Sequence, residues 1–355
     1  MWKILSLSVS VAATAAIAAE ASFGFTDPIT LSFFGSQTRR SGEGAVTPSF
    51  RANFYPTLKL GSHWFAYGAV QVHSAPYFYE ELGSRDRDIE ATLLQAYVGY
   101  SRIANGRALT VKVGQLTSAF GSLPLRYDDA RNWLIDLPQS YGYYYTPVSV
   151  YGMPGAEVDV TVGKVDLRAQ LTNSSPSNVR GWRQSDQYAN WTAGGGVTIR
   201  QGFRVGASAY HGPYLHRQHA YSFPGEANPK SLPATGYGAD VQWGRGRLTV
   251  NAELQRFQFP YRAIPYYFHT AGYGETKVTL SPRWYLAGRV GTRWRTAGMG
   301  RDQTYEMVVA FRPADGQLVK AGYLALQRPF SPGTRDNVIG LQYVISLNPP
   351  AVTWE

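Results

Sequence analysis

The chain has 355 residues, a formal net charge of +10, 14% aromatic and 16% charged residues, and no cysteine. The missing cysteine excludes a disulfide framework. The Lys and Arg residues are spread along the chain without a cluster or a nucleic-acid motif, which excludes nucleic acid as the partner implied by the basic balance; a basic lumen or a surface beside anionic headgroups fits it better. Beyond the first residues no stretch approaches the roughly 20 apolar residues that span a bilayer as a helix, so any crossing must use a closed barrel.

Residues 1–21 carry one basic group, Lys3, then an uncharged small and apolar run to about Ala19, with A-x-A patterns at Ala16 to Ala18 and Ala19 to Ala21. This predicts an export signal; the run is too short and alanine-rich for a transmembrane anchor. Residues 22–355 are then expected to form a single domain. From Thr30 onward the signal is period two, the mark of strands with two unlike faces. In the stretch 49–60, Phe50, Ala52, Phe54, Leu58 and Leu60 alternate with Arg51, Asn53, Tyr55, Thr57 and Lys59; 165–172 and 248–255 repeat the pattern. Strands are predicted near 29–37, 48–60, 63–74, 89–102, 107–117, 155–163, 164–173, 190–200, 203–211, 235–244, 247–257, 268–280, 284–294, 303–313, 317–327 and 336–347, about sixteen in all. Alternation is blurred in the first of these, in 268–280 and in the last two.

Short connections alternate strictly with long ones, the longest between about 117 and 154. Short periplasmic turns, long outer loops and an even strand count predict the fold class: an all-β, transmembrane antiparallel β-barrel. Aromatic placement agrees with it. Trp64, Tyr100, Phe203, Trp243, Trp284 and Phe311 share their strands' apolar parity and lie beside short turns, as one interfacial girdle would. Phe50, Trp191, Trp294 and Tyr305 lie at the loop ends, as the other would. Closing a hairpin around Gly163-Lys164 pairs Val160 with Leu167 outside and Asp159 with Arg168 inside.

Sixteen strands leave an aqueous channel, so conduction is the expected role. The inward parity collects Arg51, Lys59, Lys112, Arg168, Arg200, Arg204, Arg289, Arg293 and Arg312 against fewer acids, which predicts a mild anion preference. The long loop candidate, 117–154, carries Arg126, Tyr127, Asp128, Asp129, Arg131 and Asp136, then Tyr143 and Tyr145 in an aromatic cluster. Its apolar content argues against disorder. The loop is expected to fold into the barrel, where those side chains would set a size and charge filter; a lid over the mouth or a subunit contact is the alternative.

The loop is entered through VKVGQLTSAFG, Val111 to Gly121. This segment resembles the strand-to-loop motif of the porin superfamily that contains phosphate-selective porins, in which V-G-Q/K leads to an aromatic-Gly pair. The resemblance implies a sixteen-stranded, trimeric outer-membrane porin whose third outer loop constricts the pore. The C-terminus departs from that pattern: Asn348-Pro349-Pro350 is expected to break the last strand, and the chain ends Trp354-Glu355.

The sequence thus predicts an outer-membrane porin of a Gram-negative-type bacterium, passing small hydrophilic solutes, with lipid and further copies of itself as partners and with no cofactor, metal or catalytic residue. His211, His216 and His219 cluster without regular metal-site spacing, and Asp128-Asp129 reads as a solvated pair rather than a working acid and base. Two alternatives stay open: a carbohydrate-selective porin using the tyrosines to stack sugars, and a nonconducting barrel for adhesion or assembly.

Overall fold

The computed structural model describes residues 23–38, 46–74, 77–78, 88–123, 127–142, 146–177, 189–214, 232–261, 267–295, 301–327 and 335–354. The predicted export signal, residues 1–21, lies outside the described residues. The wall strands are Ile29–Thr38, Thr47–Phe54 continued as Thr57–Leu60, Trp64–Ser74, Ile89–Ala104, Arg107–Leu116, Met153–Val162, Val165–Thr172, Asn190–Arg200, Phe203–Pro213, Pro233–Arg245, Leu248–Phe259, Tyr267–Thr279, Trp284–Arg295, Arg301–Phe311, Gln317–Gln327 and Arg335–Leu347. Each pairs antiparallel with its sequence neighbours, and the first closes on the last from Ile29↔Leu347 to Thr38↔Val338. A sixteen-stranded barrel results, and every backbone ladder is satisfied without a free edge.

Period two sets the two faces. Leu167, Leu171, Val290 and Ile339 are more than half exposed on the outside. Only a lipid surround accommodates a continuous belt of this kind. From Trp284 to Trp294 is ten residue steps, about 33 Å along the strand and about 25 Å along the normal at a tilt near 40°, the height of a bilayer's apolar band. The turn-end girdle forms as expected: the Trp64 and Tyr100 rings lie 5.2 Å apart, Trp284 and Phe311 lie 4.5 Å apart, and Phe203 pairs with Trp243. The predicted register Val160↔Leu167 and Asp159↔Arg168 holds.

Two features depart from the sequence reading. At the turn end, three strands continue past prolines: Phe23–Thr26 precedes Asp27-Pro28, Thr57–Leu60 follows Tyr55-Pro56, and Val352–Trp354 resumes beyond Pro349-Pro350. Phe23–Thr26 pairs with both of the others, Phe23 facing Leu60 on one side and Trp354 on the other. The C-terminal prolines therefore interrupt the last strand rather than ending it. The second departure is that the inner wall is apolar in places. Phe34, Val308, Ala310, Leu318, Leu324, Val338 and Val344 are buried with Leu134 and Ile135, while Phe120, Leu123, Tyr141, Tyr210 and Phe257 form another cluster. Alternation is blurred in the last strands because both of their faces are covered, one by lipid and one by the loop.

Candidate functional site

The segment between Leu116 and Met153 enters the barrel. Its entry depends on the motif singled out above. Gly114 has φ +149°, and a Cβ there would lie 2.2 Å from the Ala96 carbonyl oxygen. Phe120 is fully buried, its ring 4.8 Å from that of Phe257. Gly121 has φ +78°, a left-handed conformation that suits glycine, and a Cβ would collide with the Tyr141 hydroxyl and the Glu253 carboxylate.

This first stretch is tied to three strands. Gln170 Nε2 donates to the Thr117 carbonyl at 2.7 Å, Arg168 Nη2 to the Gly121 carbonyl at 2.9 Å, and the Gly121 amide to Ser208 Oγ at 2.9 Å. Glu253 accepts from Ser122 N at 3.3 Å, Ser122 Oγ at 3.1 Å, Gln255 Nε2 at 2.5 Å, Tyr273 Oη at 3.3 Å and the Tyr141 hydroxyl. Burial first, and then the Glu253 carboxylate, pushes the Tyr141 phenol well above its ordinary pKa, so it stays a donor.

The second stretch is tied across the barrel. Asp129 accepts from Arg51 Nη1 at 3.0 Å and Tyr77 Oη at 2.8 Å, and the Arg51 guanidinium lies 4.4 Å from the centre of the Tyr127 ring. Asp128 accepts from Thr30 Oγ1 at 3.1 Å, Asn53 Nδ2 at 3.1 Å and the Tyr55 hydroxyl, and caps the following turn through Ala130 N at 2.9 Å. Lys320 Nζ donates to the carbonyls of Asp129 at 2.8 Å and Leu134 at 2.9 Å. Glu306 receives Ile135 N at 3.0 Å, and Arg289 Nη1 donates to the Asp136 carbonyl at 2.8 Å. Thr30 and Ser208 belong to strands eight places apart in a ring of sixteen, as do Lys320 and Gln170. The segment therefore crosses a full diameter.

These contacts revise the electrostatic expectation. Asp128 and Asp129 are buried anchors, not solvated loop carboxylates. Most of the inward cations are neutralised. Lys112 pairs with Glu157 at 2.7 Å and Asp159 at 2.6 Å, so the predicted partner of Asp159, Arg168, turns to the loop instead. Arg204 pairs with Asp166 at 2.6 Å and Asp240 at 2.8 Å, Arg289 with Glu275 at 2.9 Å and Glu306 at 3.2 Å, and Arg293 with Asp302 at 2.5 Å. Arg200 sits at a β-bulge opposite the outward Phe203, exposed, and leaves the inward ladder. Lys59 and Arg312 are exposed near the turn end. Arg126, Tyr143 and Tyr145 lie outside the described residues, as do His216 and His219. His211 faces Thr235 Oγ1 at 3.2 Å on the outer side.

Sequence reasoning missed Lys277 and Lys320, both inward. Lys277 Nζ lies 4.9 Å from the Trp133 ring and 5.8 Å from the Tyr285 ring, and the Arg312 guanidinium lies 5.9 Å from Tyr285. Among the described residues Lys277, Arg312 and Arg131 form no ion pair. Arg131 is exposed toward a cavity of about 420 Å³ between the loop and the strands from Ile29 to Leu116, which Tyr55, Tyr67, Tyr127, Tyr141, Thr57, Gln95, Thr117 and Ser118 also line.

No family model and no curated protein matches the chain. Solved structures do. OmpF of Salmonella typhi, in a complex with daunomycin, superposes with a TM-score of 0.63 at 10% identity over 93% of this chain and 99% of that one. The outer membrane channel DcaP of Acinetobacter baumannii gives 0.58 at 14% identity over 93% and 98%. The trimer form of OmpT, an outer membrane protein of Vibrio cholerae, gives 0.56 at 10% identity over 91% and 99%. At these identities the likeness establishes one thing: the fold of this chain is that of the outer-membrane porins.

Proposed function

We propose that the protein is a passive diffusion channel of a Gram-negative-type outer membrane, in which the segment 117–152 narrows the lumen and small hydrophilic solutes pass with a mild preference for anions. The observation that carries this reading is a loop bonded to opposite sides of the barrel with a cavity of about 420 Å³ left beside it, lined in part by Arg131 and several hydroxyl-bearing residues. Conduction needs no catalytic group, and the adjacent carboxylates Asp128 and Asp129 act as anchors. Charge selectivity rests on cations that no acid balances among the described residues, Arg131 in the cavity and Lys59, Lys277 and Arg312 toward the turn end, because paired charges exert little field on a passing ion. A homotrimer is the expected assembly, in line with the trimer form of the similar OmpT.

Planar-bilayer recording tests the proposal. The purified protein should give discrete conductance steps with a reversal potential on the anion side, measured at two salt concentrations because surface charge is screened. Arg131→Gln should move the reversal potential toward cations; an unchanged value removes Arg131 from the filter, and the absence of any current leaves a nonconducting barrel. The hydroxyl-rich cavity favours one second reading, neutral polyhydroxylated solutes. Block of the ion current by oligosaccharides, with no effect of organic anions, would select it.

A further inference from the structure

The outer wall carries a feature that conduction does not use. On the strands from Pro233 to Phe311, residues of outward parity include no Asp or Glu among the described residues, yet two arginines stand near the loop end, Arg256 and Arg301. The registers Tyr237↔Arg256, Arg256↔Thr270, Thr270↔Trp294 and Trp294↔Arg301 set them in one transverse row across five adjacent strands. Three strand spacings separate the two arginines, about 14 Å between Cα atoms.

Each guanidinium is held beside an aromatic ring. Arg256 Cζ lies 4.3 Å from the centre of Phe268, and Arg301 Cζ lies 5.1 Å from that of Trp294 while its Nε donates to Thr292 Oγ1 at 3.1 Å. Both side chains are exposed and neither has an acidic partner among the described residues. Trp294 belongs to the upper girdle and neighbours Arg301, which places Arg301 at headgroup height. At a tilt of about 40° the row shifts by about 9 Å along the normal between Arg301 and Arg256, within the combined reach of the two long side chains, so both guanidinium groups can meet phosphate and glycerol rather than hydrocarbon.

Immediately toward the turn end the wall is recessed. Leu254, Gly272 and Thr292 lie two residues below Arg256, Thr270 and Trp294, and with Ala252, Gly274 and Val290 they line an outward groove of about 530 Å³. We infer that this arc binds a phosphate-bearing lipid, its headgroup on Arg256 and Arg301 and one acyl chain in the groove beneath them. Charge complementarity selects the occupant: a second copy of the chain would have to bury both arginines against a surface whose acids face inward, whereas an anionic lipid supplies oxyanion and chain at the right heights.

The test uses the full-length protein refolded in neutral detergent, with bound lipid counted by native mass spectrometry. Phosphatidylglycerol should remain bound as a discrete adduct and phosphatidylcholine should not. Arg256→Gln with Arg301→Gln should weaken phosphatidylglycerol binding about thirtyfold, from about fivefold per arginine near an anionic surface. Gly274→Leu tests the groove separately: a Cβ at Gly274 has nothing within 4 Å, so the larger side chain fills the recess without disturbing the wall, and it should also weaken lipid binding. Unchanged single-channel conductance in these variants certifies their fold. The inference is overturned if the double variant binds phosphatidylglycerol as the wild type does, or if phosphatidylcholine binds equally well. It is also overturned if inorganic phosphate alone occupies the arginines and Gly274→Leu leaves lipid binding intact.

Discussion

Substituting Gly121 by Ala tests whether the loop is docked by the contacts described. A Cβ at this position would lie 1.6 Å from Tyr141 Oη and 2.2 Å from Glu253 Oε1, with φ at +78°. The left-handed conformation costs a residue with a side chain about 1–2 kcal/mol. Moving the Tyr141 hydroxyl off the Glu253 carboxylate forfeits a hydrogen bond to a charged group, about 1.5–3 kcal/mol. Together these shift the docking equilibrium of this stretch by about 2.5–5 kcal/mol, or roughly two to four orders of magnitude in population. The wall ladders do not depend on Gly121, so the barrel should still fold while residues 117–123 become protease-sensitive and the single-channel current becomes larger and noisier. Gly106→Ala is the control: φ is +70° with nothing within 4 Å of the added Cβ, so it carries the conformational cost alone and should leave the current unchanged. If Gly121→Ala matches Gly106→Ala in both proteolysis and conductance, the tie between Glu253 and the loop does not govern the pore.

Three further outcomes follow from the same geometry. Arg51→Met leaves Asp129 buried without its cation and should destabilise the folded barrel by about 3–5 kcal/mol in heat-modifiability gels, while adding Asp129→Leu should recover most of that loss. Lys320→Met removes the donor to two buried loop carbonyls, and its thermal unfolding in detergent should report about 1–3 kcal/mol for each carbonyl that water fails to reach. Deleting residues 352–354 exposes the edge of Phe23–Thr26, so amide exchange should accelerate at residues 23–26 and stay slow in Arg335–Leu347; equal protection at both would mean that the short turn-end sheet adds nothing.

The wall was readable because each strand has one lipid face, and a period of two survives in any segment whose other face is polar. Asn190–Arg200 and Gln317–Gln327 match their predicted bounds residue for residue. Phe23–Thr26 and Val352–Trp354 were invisible: they are short, they stand beyond prolines, and they form only because chain ends distant in sequence meet. The inward charges were legible as residues but not as pairs. Glu275 and Arg289 come from neighbouring strands joined by the short turn at 280–283 and stand opposite one another in register, a signal that pairing hairpin by hairpin would have exposed, whereas Arg51 and Asp129 meet only once the loop has folded inward. Lys320 was passed over because Leu318, Leu324 and Leu326 on its own face made that face look dry, which it is: the loop covers it.

A tube of sixteen strands has little stiffness against being squeezed oval, since its ladders run around the circumference and bend easily. A segment fastened to Thr30 on one side and Ser208 on the other works as a strut across that tube. Lateral pressure from the bilayer is then carried through the same atoms that frame the aperture, so cross-sectional shape and aperture width become one mechanical variable, and cutting the strut at either fastening frees both.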